Sequence, residues 1–145
     1  MAHTPSASPE DRRIARRYPA VELKASLRVK KGLFNENWVP ITAVDYNRRG
    51  LAIETDVALQ AEESILLALE LVMDMGTIQI DKLAAVIRYC QPRGNQYRYG
   101  VEFDFEGPRF MRAPQMETQL VRIEGLLERN RQITTRIRSQ ESPDA

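Results

Sequence analysis

Cysteine and histidine are almost missing: in 145 residues only Cys90 and His3 occur. A single thiol excludes an internal disulfide and suits a reducing compartment. His3 lies in a Ser/Pro-rich leader and Cys90 inside an apolar stretch, so one chain can assemble neither a zinc set nor a Cys-His nucleophile. Long apolar runs are missing too: no stretch reaches bilayer length, and MAHTPSASPED lacks the apolar core of a signal peptide. The expectation is a cytoplasmic protein with no membrane insertion. Charge of one sign is also scarce, with 21 basic and 20 acidic residues and a net charge of +1. The molecule as a whole has no field that marks a general nucleic-acid binder, and electrostatic specificity has to be local.

What is present is enough for one ordinary core, with 43% hydrophobic residues in one domain and tails at either end. Residues 1–10 and 140–145 are rich in Pro, Ser, Thr and Ala without periodicity, and read as a disordered leader and a disordered tail. Between them the pattern is strand-like. VELKASLRV places Val21, Leu23, Ala25, Leu27 and Val29 on one face of a half-buried strand. GLFNEN carries loop chemistry, and WVPITAVDY resumes β composition, with Pro40 favouring an edge or a bulge. LAIETD follows NRRG as the return strand of a hairpin, in which Gly50 is expected to supply a positive φ.

SILLALELVMDM is apolar enough for a helix, but its alternation and the Gly76 turn before TIQIDKLAAVIRYC favour a strand pair. A last hairpin joins AAVIRYCQ to YRYGVEFDF through PRGNQ, which brings the count to about six strands. From Pro108 the period changes. Met116, Leu120, Ile123 and Leu127 form one apolar helical stripe, and its register continues through Asn130, Thr134 and Ile137. Such a helix either packs on its own domain or pairs with a second copy as a homodimer. The carboxylate pairs Glu62-Glu63 and Asp104-Glu106 read as turn chemistry and as alternate residues on one strand face, and no enzyme is expected.

Two segments could carry function. In DRRIARRYP the residues Arg12, Arg13, Arg16 and Arg17 fall within six positions just before the first strand. Four guanidiniums on a short tether repel one another until an anionic partner relieves them. The guanidinium fork binds phosphate bidentately, pairs with the O6/N7 edge of guanine and stacks on purines. The second segment is DYNRRG, Asp45 to Gly50, where Asp45 offers a carboxylate to the N1-H and N2-H donors of guanine and Asn47 offers an amide. Arg48 and Arg49 add cations at the turn. Asp and Asn are also ordinary turn formers.

Together these segments resemble the PilZ domain of bacterial cyclic di-GMP receptors, over residues 12 to about 105. RxxxR is met by Arg13 and Arg17, and also by Arg12 and Arg16, with the first frame better placed relative to Pro19. The (D/N)xSxxG motif is met at Asp45 and Gly50, with Asn47 where the family pattern has Ser, and GVEF at Gly100 to Phe103 matches the GVxF closing strand. The resemblance implies a mainly β fold, a six-stranded antiparallel PilZ-type barrel with its Arg-rich arm over residues 11–107, followed by a C-terminal helix over 108–139. It implies a second-messenger receptor without a cofactor, whose ligand is cyclic di-GMP held by Arg12, Arg13, Arg17, Asp45, Asn47 and Gly50. Arg12 would help hold an intercalated ligand dimer. Arg16, Arg48, Arg49 and Arg88 are further candidate contacts, and Tyr89 beside Arg88 offers stacking.

The arm, ordered on the ligand, would signal to a downstream protein. An adaptor of the same fold that binds a protein and no nucleotide is the alternative, motivated by Asn47 and the C-terminal helix. A single-strand nucleic-acid barrel is disfavoured, because such surfaces interleave exposed aromatics with a broad basic groove, whereas here the cations cluster around Asp45.

Overall fold

The computed structural model describes residues 16–20, 22–31 and 35–141, with side chains at 16–20, 22–29 and 37–131. The leader and the tail expected to be disordered lie outside the described residues, apart from residues 140–141 at the end of the helix. Among the described residues there are seven strands: β1 (Tyr18–Pro19), β2 (Leu23–Lys31), β3 (Asn35–Asn47), β4 (Gly50–Thr55), β5 (Ser64–Met73), β6 (Gly76–Arg93) and β7 (Gln96–Phe103). A 3-10 turn (Arg109–Arg112) leads into helix α1 (Pro114–Glu141). The sheet order β3-β2-β5-β6-β7-β4 closes on itself through β3–β4 pairing, giving a six-stranded antiparallel barrel, and the two-residue β1 is appended to β3. Closure leaves no long edge unpaired.

Alternation explains the strands. Leu23, Ala25 and Leu27 on β2 and Ile65, Leu67, Leu69 and Leu71 on β5 are buried at every second position. SILLALELVM is therefore a strand, hydrogen-bonded on both sides by β2 and β6. Pro40 sits where β3 pairs only with β2, because β4 joins β3 from Thr42 onward. A residue without an N–H is tolerated there.

Three register shifts interrupt the ladders, each with one extra residue on a long strand. On β3, Ala43 pairs with Ile53 and Asp45 with Ala52, so Val44 is the extra residue. On β6, Ile87 pairs with Val101 and Tyr89 with Gly100, so Arg88 is extra. A bulge reverses the inside-outside phase of the residues that follow it. Ala43 and Tyr46 are both buried, an odd step apart, which leaves Asp45 on the outer wall.

Five expectations are corrected. The strand expected from Val21 is β2 and begins at Leu23, Glu22 lies in a turn, and Val21 is outside the described residues. Asn35 to Asn37 of the expected loop belong to β3. Asp104 and Glu106 do not share a strand face, because β7 ends at Phe103 and the Gly107-Pro108 step that follows cannot extend a ladder. Gly50 does not have a positive φ, which among the described glycines is confined to Gly76 and Gly94. Its missing side chain serves closeness instead: a Cβ there would collide with the carbonyl oxygen of Val101 on β7. The helix also starts later than Pro108, because the 3-10 turn intervenes and Pro114, with no N–H to leave unpaired, opens α1.

Helix α1 plugs one end of the barrel. Met116, Leu120, Ile123 and Leu127 are all buried in the core cluster, so the stripe faces the barrel of its own chain. The side chain of Thr134, and that of Ile137, lie outside the described side chains. Tyr46, fully buried, donates its hydroxyl to the carbonyl of Leu120 at 2.7 Å.

Burial pushes the Tyr46 phenol far above its ordinary 10.0, with Glu124 adding to the rise. The Tyr18 and Tyr99 phenols are raised as well, first by burial. The unfolded chain therefore loses these protons first as pH rises. The stabilisation is complete below about pH 10 and is lost as pH climbs through the raised folded values. Urea midpoints measured from about pH 8 to 11 should fall at the alkaline end. Tyr46→Phe should lose about 1 kcal/mol at neutral pH and show a shallower alkaline decline. Gly50→Ala should cost about 1–3 kcal/mol in the same assay, because backbone rather than a flexible side chain must move.

Candidate functional site

The bulge at Val44 builds the site. Its carbonyl accepts the N–H of Ala20 at 3.2 Å, while Pro19 pairs with Asp45 and Tyr18 with Tyr46. The end of the arginine arm is thereby stitched to the end of β3, and Tyr18 anchors it by inserting its ring into the core cluster. Arg17 then reaches the Asp45 carboxylate, Nη1 to Oδ1 at 3.1 Å, with each side chain more than one-third exposed. The two segments singled out in the sequence meet at one patch of the wall. Arg16 extends beside them, its guanidinium carbon 5.6 Å from the centre of the Tyr18 ring. Arg12 and Arg13 lie outside the described residues.

The turn itself is built by Asn47. Its side chain is buried, and its Oδ1 accepts the N–H of Arg49 at 2.7 Å and of Gly50 at 3.0 Å. This is the Asx geometry by which asparagine closes a tight turn. Arg49 is exposed at the tip, and its side chain has no hydrogen bond or ion pair among the described residues. Its carbonyl accepts the N–H of Phe103, which ties the turn to β7.

Arg48 points the other way. Its backbone N–H donates to Glu124 Oε2 at 2.9 Å, its Nε donates to Oε1 at 2.9 Å, and its Nη2 lies 2.7 Å from Oε1. The hydrogen bond it donates to this carboxylate raises the guanidinium above its ordinary value, and Arg48 stays charged at any working pH. Arg88, the bulge residue on β6, is held by Glu102 at 2.7 Å and Glu62 at 2.6 Å, a cross-strand pair extended to the preceding loop.

Sequence reasoning missed the helix side of the site. Tyr46 and Tyr18 carry the ties to α1, and Glu124 receives Arg48, although no local motif marks a glutamate in an amphipathic helix. Alternation through AVDYN would have turned Tyr46 outward, because the bulge cannot be seen in the composition. A groove of about 710 Å³ between the turn and α1 is lined by Arg48 and Arg49 but also by Glu102, Glu117, Glu124 and Glu128. Its acidic majority disfavours an anion there. The outer wall around Arg17 and Asp45 is the better surface for one.

Among the described residues no group of three or more His, Cys, Asp or Glu could hold a metal ion, and no helix is long and apolar enough to cross a membrane.

The PilZ domain family model matches residues 10–123. Among solved structures, the PilZ domain with c-di-GMP of YcgR from Escherichia coli is similar at a TM-score of 0.56 and 18% identity, over 83% of this chain and 94% of that one. The crystal structure of YcgR in complex with c-di-GMP from Escherichia coli aligns with the same score and identity, and there the chain spans 47% of the longer protein. At this identity the likeness is one of fold. None of the curated proteins matches the chain by sequence.

The Arg48–Glu124 contact should register as a coupling. In a double-mutant cycle of Arg48→Ala and Glu124→Ala, read by urea denaturation, the interaction energy should come out below about 1 kcal/mol, since half of the arginine side chain stays in water.

Proposed function

This chain belongs to the PilZ domain family, and we propose from that membership that it is a receptor for cyclic di-GMP whose ligand lies on the outer wall across Arg17 and Asp45. The observation that carries the reading is the convergence of the arm and the turn, with the guanidinium 3.1 Å from the carboxylate. Both groups are complementary to a guanine nucleotide. A carboxylate accepts the N1-H and N2-H of guanine, and a guanidinium binds phosphate oxygens or the O6/N7 edge.

On binding, Arg17 exchanges Asp45 for the ligand, and Asp45 is released to take a base. Arg13 and Arg12 precede this point in the chain and are proposed to close over the phosphates, with Arg12 supporting a second, intercalated ligand. Arg49, whose side chain is unpaired among the described residues, and Arg16 are cations available to either phosphate. Asn47 and Gly50 act by shaping the turn: one closes it and the other lets it sit against β7. That the YcgR structures with similar folds contain c-di-GMP supports the choice of nucleotide. No reaction on the ligand is proposed, and a cytoplasmic location fits a receptor for an intracellular messenger.

The output is proposed to pass through α1 to a partner protein. The turn touches this helix at Glu124, and β3 touches it at Leu120 through the Tyr46 hydroxyl. Tyr18, one residue beyond Arg17, lines the same groove as Glu128 of the helix. A ligand that moves Arg17 or the turn therefore pulls on one stripe of the helix.

Calorimetric titration with cyclic di-GMP should give saturable heat. Arg17→Ala and Asp45→Ala should each weaken binding by at least about tenfold, from loss of a charge-assisted contact, with stability changed by no more than about 0.5 kcal/mol. No saturable heat at about tens of micromolar would transfer the assignment to a nucleotide-independent adaptor.

A further inference from the structure

We propose that Tyr89 is the stacking face for the second base of the cyclic dinucleotide, a proposal that rests on the receptor reading and extends it. The register places Tyr89 opposite Gly100, Gly100 opposite Ala52, and Ala52 opposite Asp45. Residues paired across antiparallel strands share a face. One crosswise row on the outer wall therefore runs over β6, β7, β4 and β3, with Tyr89 at one end and Asp45 at the other. Three interstrand steps of ~4.8 Å put the ends about 14 Å apart along the wall. Between them stand Ala52 and Gly100, both buried, so the accessible chemistry of the row lies at its two ends.

The ring lies across Gly100, with its Cδ2, Cε2 and Cζ in the space that a side chain there would need. Tyr89 nonetheless remains 50% exposed. One face is backed by the wall and the other is open to solvent, which is how a stacking platform is presented. The neighbouring arginines supply little free charge, since Arg98 is bound to Glu54 and Arg88 to Glu62 and Glu102. Stacking is what this end of the row offers.

A second observation comes from the bulges. Ile87 points into the barrel, and in a regular strand the side chain two positions later would point inward too, but the extra residue shifts the phase. The bulge at Val44 does the same for Asp45. Two independent insertions, each with its cost in ladder hydrogen bonds, turn out the two residues that end the row, and bulges are frequent where a side chain is re-aimed for function. A purine held at Asp45 alone does not reach Tyr89. The second base of a cyclic dinucleotide, carried on the same sugar-phosphate ring, is placed to do so.

The test is a calorimetric titration of the full chain with cyclic di-GMP, comparing the unsubstituted protein with Arg17→Ala, Tyr89→Phe and Tyr89→Ala, each checked by thermal melting. Tyr89→Ala should weaken binding about 5- to 150-fold, the effect of losing one base–aromatic stack. Tyr89→Phe should stay within about threefold. As a readout independent of folding energy, Tyr89→Trp should bring indole fluorescence that the ligand quenches, over the background of Trp38. Unchanged affinity in Tyr89→Ala beside a clear loss in Arg17→Ala overturns the stacking proposal and leaves the receptor reading standing. Equal losses in Tyr89→Phe and Tyr89→Ala, or no quenching in a Tyr89→Trp protein that binds, overturn it as well. No binding by the unsubstituted protein refutes the receptor reading itself.

Discussion

A closed barrel must bury both Ala43 and Tyr46, and the arrangement of the site depends on how β3 meets that demand. Three positions separate them, an odd step that regular alternation cannot place on one side. The extra residue Val44 resolves the conflict by buckling the strand. Asp45 is turned outward, and the Val44 carbonyl is available to receive the N–H of Ala20 from the arm. The candidate site is thus a by-product of core packing. Without the buckle, regular alternation from Ala43 would bring Asp45 inward and turn Tyr46 outward.

Much of this architecture was legible in the sequence, because period-two burial is written directly into β2 and β5. The stripe of Met116, Leu120, Ile123 and Leu127 likewise announced a helix packed along one face. The site was legible as two clusters, since arginine density and an Asp-Asn turn are local properties. What stayed hidden was non-local or came from irregularity. The role of Gly50 depends on the distance between β4 and β7, which no window of sequence contains. The phase of Asp45 and Tyr89 depends on bulges, which differ from regular strand by one residue and have no compositional mark. Glu124 meets Arg48 across 76 positions, and nothing short of the fold relates them.

The division of labour among the turn arginines follows from the same geometry. Consecutive residues at a hairpin tip project to different sides, so Arg48 falls over the acidic end of the groove and Arg49 toward solvent. Arg48 is then committed to the helix, where it answers a glutamate that is itself largely shielded, with 12% of its side chain exposed. A shielded carboxylate without its partner would carry a larger penalty than an exposed one. The arginine run in DYNRRG is therefore a joint between wall and helix as much as a source of positive potential.

The pairing of Arg17 with Asp45 has two effects on a ligand, and their magnitudes show which dominates. Opening a pair this exposed costs about 0.2–1 kcal/mol. Each charge-assisted hydrogen bond to a nucleotide returns about 1.5–3 kcal/mol, so the pair is no barrier to entry. Its larger effect is on entropy. With Tyr18 buried and Ala20 bonded to Val44, Arg17 is held within reach of the carboxylate before any ligand arrives, and immobilising such a side chain would otherwise cost about 0.5–1.5 kcal/mol at the moment of binding. Arg17 thus carries little of that ordering cost. In the proposed receptor it is the natural first contact.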